Sequence, residues 1–190
     1  MTGNLQQVLA GIDGCNGQDP NKIAGVAAEL LYGQRMSETL AQFRPSASVE
    51  LQIAVRGQHI ERWTLLRADY PEGKAGYLRW RIDQKDRHAA KVSALMAAAG
   101  FGEADTSRAA ALVRKEKFKT DAEAQALEDV ACLVFLQHYA TDFIAKHPAE
   151  KVDDIIRKTW KKMSEGGQQA ALKLNLNASV LTAVRRALSG

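Results

Sequence analysis

Cysteine is nearly missing from this chain. Cys15 and Cys132 stand far apart, and no Cys-x-x-Cys spacing occurs. That argues against a disulfide framework and a cysteine-built zinc site, and suits reduced thiols in a cytoplasmic protein. Proline occurs four times in 190 residues and aromatic residues make up 6% of them, so there is no low-complexity tract. No apolar run approaches the roughly 18 residues that span a bilayer, and no basic segment follows Met1, so neither membrane insertion nor export is expected. Charge of neither sign dominates. The 26 Lys and Arg against 22 Asp and Glu leave a net +4, interspersed along the chain, which does not indicate nucleic acid as a partner. There is no His-Glu-x-x-His, no His-x-x-His, no internal repeat, and no stretch that alternates with period two long enough to make a strand.

What is present is helical periodicity. Hydrophobic residues are 46% of the chain, enough for one domain over residues 1–190 with a well-buried core, residues 1–18 leaving room for a loosely ordered N-terminal segment. Leu5 to Leu9 form a turn that Gly11 and Gly14 should break. Asp19-Pro20 reads as a helix start, with Ile23, Val26, Leu30, Leu31, Met36 and Leu40 at helical spacing to Phe43. Ser46 or Ser48 should cap a second helix reaching Trp63. A third is expected from Gly76 to Ala99, kinked near Asp83 and stopped by Gly100. Thr106 opens a fourth, and Lys115, Lys117 and Lys119 mark a basic connector. Thr120 with Glu123 forms a capping box for Ala122 to Ala145, whose apolar run Val130 to Leu136 makes it the expected central helix. Val152 to Met163 and Ser179 to Leu188 complete the series, with Gly166-Gly167 as a break. The fold class is all-α, a single-domain helical bundle.

Polar and planar groups gather between Gln58 and His88, where an ordinary core would be aliphatic. Arg62, Arg67, Lys74, Arg79 and Arg81 are candidate phosphate or carboxylate binders, because guanidinium offers a planar fork of donors. Trp63, Tyr70, Tyr77 and Trp80 can stack on a flat ligand or cover it. His59, His88 and Asp129 are the candidate metal ligands, imidazole plus carboxylate suiting a divalent ion (Mn, Fe, Zn or Mg), each brought by a different helix. Glu128 and Glu61 are candidate proton acceptors. Lys162-Met163-Ser164 resembles the KMSK loop of class I aminoacyl-tRNA synthetases, but that loop works beside a Rossmann sheet, so here it reads as the polar end of a helix.

The order of Tyr32-Gly-Gln-Arg35-Met36, Gln58-His59-Ile60, His88 and Leu127-Glu128-Asp129 resembles the HD-domain superfamily of metal-dependent phosphohydrolases. That resemblance implies an HD-like bundle with a metal on histidines and aspartates. The chain departs from it where Tyr32 stands at the first-helix histidine position and Gln58-His59 at the His-Asp doublet. A fuller resemblance is to the DUF4202 family, carried by Gln58-His59-Ile60-x-Arg62-Trp63, Arg67-x-x-Tyr70-Pro71, Gly76-Tyr77-Leu78-x-Trp80-Arg81, Leu127 to Leu136 and Arg157 to Ser164. It names a family without naming a reaction. The expectation is an HD-like helical protein that binds a phosphorylated small molecule or nucleotide. Catalysis stays open between a divergent metal-dependent phosphohydrolase and a non-catalytic ligand-sensing or RNA-binding module on a degenerate HD scaffold.

Overall fold

The computed structural model describes residues 3–118 and 120–189; Lys119 of the basic connector lies outside them. Among the described residues there are ten α-helices and one short hairpin. No helix is long and apolar enough to cross a membrane.

Helix α1 covers Leu5–Asn16, longer than the turn expected, because Val8 and Ile12 are buried (1% and 0% exposed) against the later helices. Burying such a side chain contributes about 1.5–3 kcal/mol, which outweighs the roughly 1 kcal/mol lost at each interior glycine. The helix expected to start at Asp19 starts later. Strands β1 (Lys22–Ile23) and β2 (Val26–Ala27) pair antiparallel, and α2 follows from Ala28–Phe43. Asp19 is buried and accepts from the Asn21 and Glu29 backbone N–H groups (2.9 and 3.0 Å). It holds the hairpin closed and serves the first turn of α2 from nine residues upstream of that helix. Ile23 and Val26, the apolar residues of the hairpin, fall at helical spacing by chance, so the pattern extends ahead of the helix that begins at Ala28.

Helix α3 (Val49–Gly57) has Ser48 as its N-cap, as expected, but ends before Gln58. Glu61 adopts the left-handed conformation at φ 52° and two 3₁₀ turns follow. Helix α4 runs unbroken from Gly73–Ala98, without the kink expected at Asp83, and stops at Gly100 with φ +84°. Helix α5 is Glu103–Arg114, started at Gly102 and not at Thr106. Helix α6 (Ala122–Val134) is capped by Asp121, whose carboxylate takes the Glu123 and Ala124 N–H groups, so Thr120 is not the cap. It passes into a π-helical stretch, Phe135–Tyr139, and then α7, Ala140–Lys146. Helices α8 (Ala149–Lys162), α9 (Glu165–Leu172) and α10 (Ala178–Leu188) finish the chain. Gly166 and Gly167 lie inside α9, where a break was expected.

Helix α6 joins two apolar clusters. Leu127, Val130 and Val134 belong to the cluster built on α1 to α5, and Cys132 and Leu133, with Leu136 of the π-helical stretch, to the one built on α7 to α10. It is the central, largely buried helix that its apolar run implies. Close approach of α3 to α4 depends on Gly57, where a Cβ would lie 2.6 Å from Val92. A fork from Arg56 to Asp13 at 2.7 and 2.6 Å ties α3 to α1.

Candidate functional site

The turn that ends α3 delivers the site. Gln58, His59 and Ile60 leave the helix because three tertiary contacts hold them out. The Glu61 N–H donates to Asn16 Oδ1 at 3.0 Å, Gln58 Nε2 donates to Tyr32 Oη at 3.0 Å, and His88 Nδ1 lies 2.7 Å from the Ile60 carbonyl. A carbonyl only accepts, so His88 Nδ1 carries the hydrogen and Nε2 is left as an acceptor. His88 is 2% exposed, and burial beside His59 pushes its imidazole down to about 3, so it is neutral at physiological pH.

His59 stacks on Tyr32, ring centroids 4.5 Å apart at 12°, and stands 6.2 Å from the His88 ring. Burial, then the charges of Arg62, Lys115 and Arg81, hold its imidazole well below the ordinary range. Glu29 Oε2 approaches His59 Nδ1 at 3.5 Å yet takes no hydrogen bond, and burial raises its carboxyl to about 7 despite the nearby Arg62.

Two openings meet at His59 and Arg62, which line both. The first is a cleft of about 50 Å³ whose charged lining is Arg62, Arg81, Lys85 and Lys115, with Gln84 and His88 beside them. At roughly 10–15 Å³ per water it holds about four waters, room for one phosphoryl group. Among the described residues Arg62, Arg81 and Lys85 have no carboxylate within salt-bridge distance, while Lys115 is paired with Glu128 at 2.5 Å. Burial, with Lys115 and Arg81 nearby, pushes the Lys85 ammonium below its ordinary value. The second opening, about 370 Å³, is walled by Ile23, Tyr32, Phe135 and Tyr139, and its lining includes Glu29, whose Oε2 is buried without a hydrogen bond, while the Tyr139 hydroxyl is buried beside Arg35. Phe135 and Tyr139 open and close the π-helical stretch. π-Bulges inside α-helices are often found at functional sites.

The expected metal set does not converge. Asp129 is 2% exposed and accepts from the Ser164 N–H, the Ser164 hydroxyl and Gln125 Nε2 at 2.7, 2.6 and 3.1 Å. It clamps the start of α9 onto α6, and a Cβ at Gly167 would meet its carboxylate at 2.6 Å. Among the described residues no three His, Cys, Asp or Glu side chains form a group that could hold a metal ion. His59, His88 and Asp129 therefore do not fit a divalent ion together. The polar-helix-end reading of Lys162-Met163-Ser164 agrees with Ser164 capping α9, its hydroxyl accepting from the Gly167 N–H at 3.0 Å.

The expected proton acceptors are engaged elsewhere. Glu61 pairs with Lys91 at 3.0 Å. Burial alone would raise the Glu128 carboxyl, but Lys115 and Lys162 hold it below its ordinary value, leaving a weak base.

Of the nine expected ligand-binding residues, Arg62, Trp80 and Arg81 line the cleft. The Arg62 guanidinium lies 5.7 Å from the Trp80 ring centre. The others do not line it. Arg67 donates to the Tyr70 and Pro71 carbonyls (both 2.9 Å), stapling its own loop. Tyr70 donates to Asp83 at 2.9 Å and Arg79 pairs with the same carboxylate at 3.0 Å. Lys74 and Tyr77 are exposed and Trp63 is half-buried. This loop straps the start of α4 in place. Gln84, Lys85 and Glu29 are not among the expected site residues, and Lys115 and Tyr139 carry the expectations of a basic connector and of core packing, though Arg81, Gln84, Lys85 and His88 recur at spacings of three, four and seven on α4. A polar stripe of that kind is indistinguishable in sequence from a solvated helix face.

A family model described as "Domain of unknown function (DUF4202)" matches residues 6–184. No curated protein and no solved structure matches the chain.

Proposed function

Because the chain belongs to the DUF4202 family, whose description carries no activity, we propose from the geometry of the site that the protein binds a small phosphorylated ligand. Its phosphoryl group sits in the cationic cleft, and its organic part lies in the adjoining aromatic cavity. The observation that carries this is the set of three cations, Arg62, Arg81 and Lys85, lining one small cleft and, among the described residues, making no salt bridge, although the Glu128 carboxylate is close enough to act on Lys85. Keeping like charges together in a half-buried place is unfavourable. An oxyanion offsets that cost and gains charge-assisted hydrogen bonds of about 1.5–3 kcal/mol each. In the wider cavity Tyr32, Phe135 and Tyr139 offer ring faces, with the Glu29 carboxyl at its edge.

The role is binding, in line with a ligand-sensing module. Metal-assisted phosphoester hydrolysis draws no support from the donor set, since Asp129 is committed to Ser164. RNA binding draws none either, because the unpaired cations line a cleft of about 50 Å³ and do not form an open face.

The test is thermal unfolding of the full chain with a panel of phosphomonoesters in the presence of a chelator. A ligand at a hundred times its Kd adds about 2.7 kcal/mol, a rise in Tm of roughly 5–11 °C for a protein of this size. The rise should disappear in Arg62→Ala and Lys85→Ala. If no phosphoryl compound raises Tm, or if a rise requires added metal, the reading fails.

A further inference from the structure

We propose that the cationic cleft selects an oxyanion that carries a proton, such as hydrogen phosphate or a phosphomonoester monoanion, over one that carries none, with Gln84 and His88 as the acceptors that make the selection. This rests on the phosphoryl-binding reading and narrows it.

Gln84 is 5% exposed and lines the cleft. Its Nε2 donates to the Arg62 and Leu65 carbonyls at 3.0 and 3.1 Å, which fixes the amide orientation and makes the other atom an oxygen. That oxygen, Oε1, is buried and receives no hydrogen bond. His88 lines the same cleft. Its Nδ1 hydrogen is committed to Ile60, so Nε2 presents a lone pair. Two residues that each keep an acceptor thus line the same cleft as Arg62, Arg81, Lys85 and Lys115, the last of which is paired with Glu128.

Sulfate brings two negative charges and no hydrogen. It satisfies the cations and leaves the Gln84 oxygen unpaired beside its own oxygens. Phosphate at about pH 6 is mostly the monoanion and carries hydrogens, so one P–O–H can donate to Gln84 Oε1 and another to His88 Nε2. Coulomb attraction alone ranks the two ions the other way, since the dianion gains more from the same cations. The order of affinities therefore separates hydrogen-bond selection from charge. One unpaired buried acceptor corresponds to about 5- to 150-fold in affinity.

The experiment is titration calorimetry of the full chain at about pH 6, at constant ionic strength, with inorganic phosphate, sulfate and monofluorophosphate. Monofluorophosphate is a phosphorus oxyanion without an ionisable hydrogen at this pH. Phosphate binding about fivefold tighter than both others supports the proposal. Sulfate or monofluorophosphate matching phosphate overturns it and leaves phosphoryl binding standing. If none of the three binds, the phosphoryl reading falls with it. In Gln84→Met, which removes the acceptor, the phosphate-to-sulfate ratio should drop toward one or invert; a ratio unchanged from wild type removes Gln84 from the selection. Should that variant not fold, the three-anion order in the wild-type protein decides by itself.

Discussion

Replacing Glu29 by Gln should stabilise the protein, and the gain should depend on pH. The carboxyl has a value near 7 in the folded chain against 4.5 as its ordinary value, because burial disfavours the ionised form. A carboxyl raised on folding contributes stability that is fully present below the unfolded value and is lost as pH rises through the folded one. With these two values the loss is about 0.8 kcal/mol at pH 5 and about 3.3 kcal/mol at pH 8. An amide does not ionise, so Glu29→Gln should gain about 2.5 kcal/mol on wild type between those two pH values, a Tm difference growing by roughly 5–10 °C. His59 and His88, both held neutral in the fold, act in the opposite sense. Their folded values are depressed, so their contribution is lost as pH falls below the unfolded imidazole value. Glu29 stands 3.5 Å from His59 and its charge bears on His88, so the histidine loss, which falls at the acid end, cancels in the difference only above the unfolded imidazole range, and the rise from there to pH 8 is the part that reads Glu29. Chemical denaturation of wild type and Glu29→Gln at half-unit steps from pH 5 to pH 8.5 reads the difference directly. A difference that stays flat across that range would refute the claim that Glu29 is an unpartnered buried acid.

Further expectations follow from the same geometry. Asp129→Ala strips two hydrogen bonds from Ser164 at the start of α9 and one from Gln125 on α6, and leaves the Ser164 N–H unpaired, so unfolding free energy should fall by about 2–4 kcal/mol. Calorimetry on that variant should return wild-type phosphate affinity; a lost ligand site with unchanged stability would mean that the carboxylate serves the ligand after all. Lys85→Met removes an ammonium that burial and its cationic neighbours already disfavour. The variant should be at least as stable as wild type by thermal melt while phosphate affinity drops about tenfold or more. A marked loss of stability would show that Lys85 has a structural partner.

Much of the helical architecture was legible in the chain. Val130 to Leu136 carry an apolar run that only a buried element can accommodate, and α6 with the start of the π-helical stretch after it is that element, shared by both clusters. Ser48 and Gly100 acted as the local start and stop signals that their chemistry implies. Local signals failed where a distant residue intervened. Asp19 looks like an N-cap and instead closes a hairpin while reaching Glu29. The helix through Ile60 stops short because Asn16, Tyr32 and His88 hold the turn open. Arg67, Tyr70 and Arg79 have the composition of a ligand pocket, yet their partners are carbonyls and Asp83 in their own neighbourhood.

The sequence alone determined that the chain is helical, which helix is central, and that cations and rings crowd the region around His59. Those properties follow from periodicity and side-chain chemistry, which act over a few residues. Which cations lack a counter-charge, which imidazole nitrogen keeps its lone pair, and that Asp129 turns to Ser164 and not to His59 were decided only by the tertiary structure. Pairing and desolvation depend on groups far apart in the chain, and one residue's partner cannot be read from its neighbours in sequence.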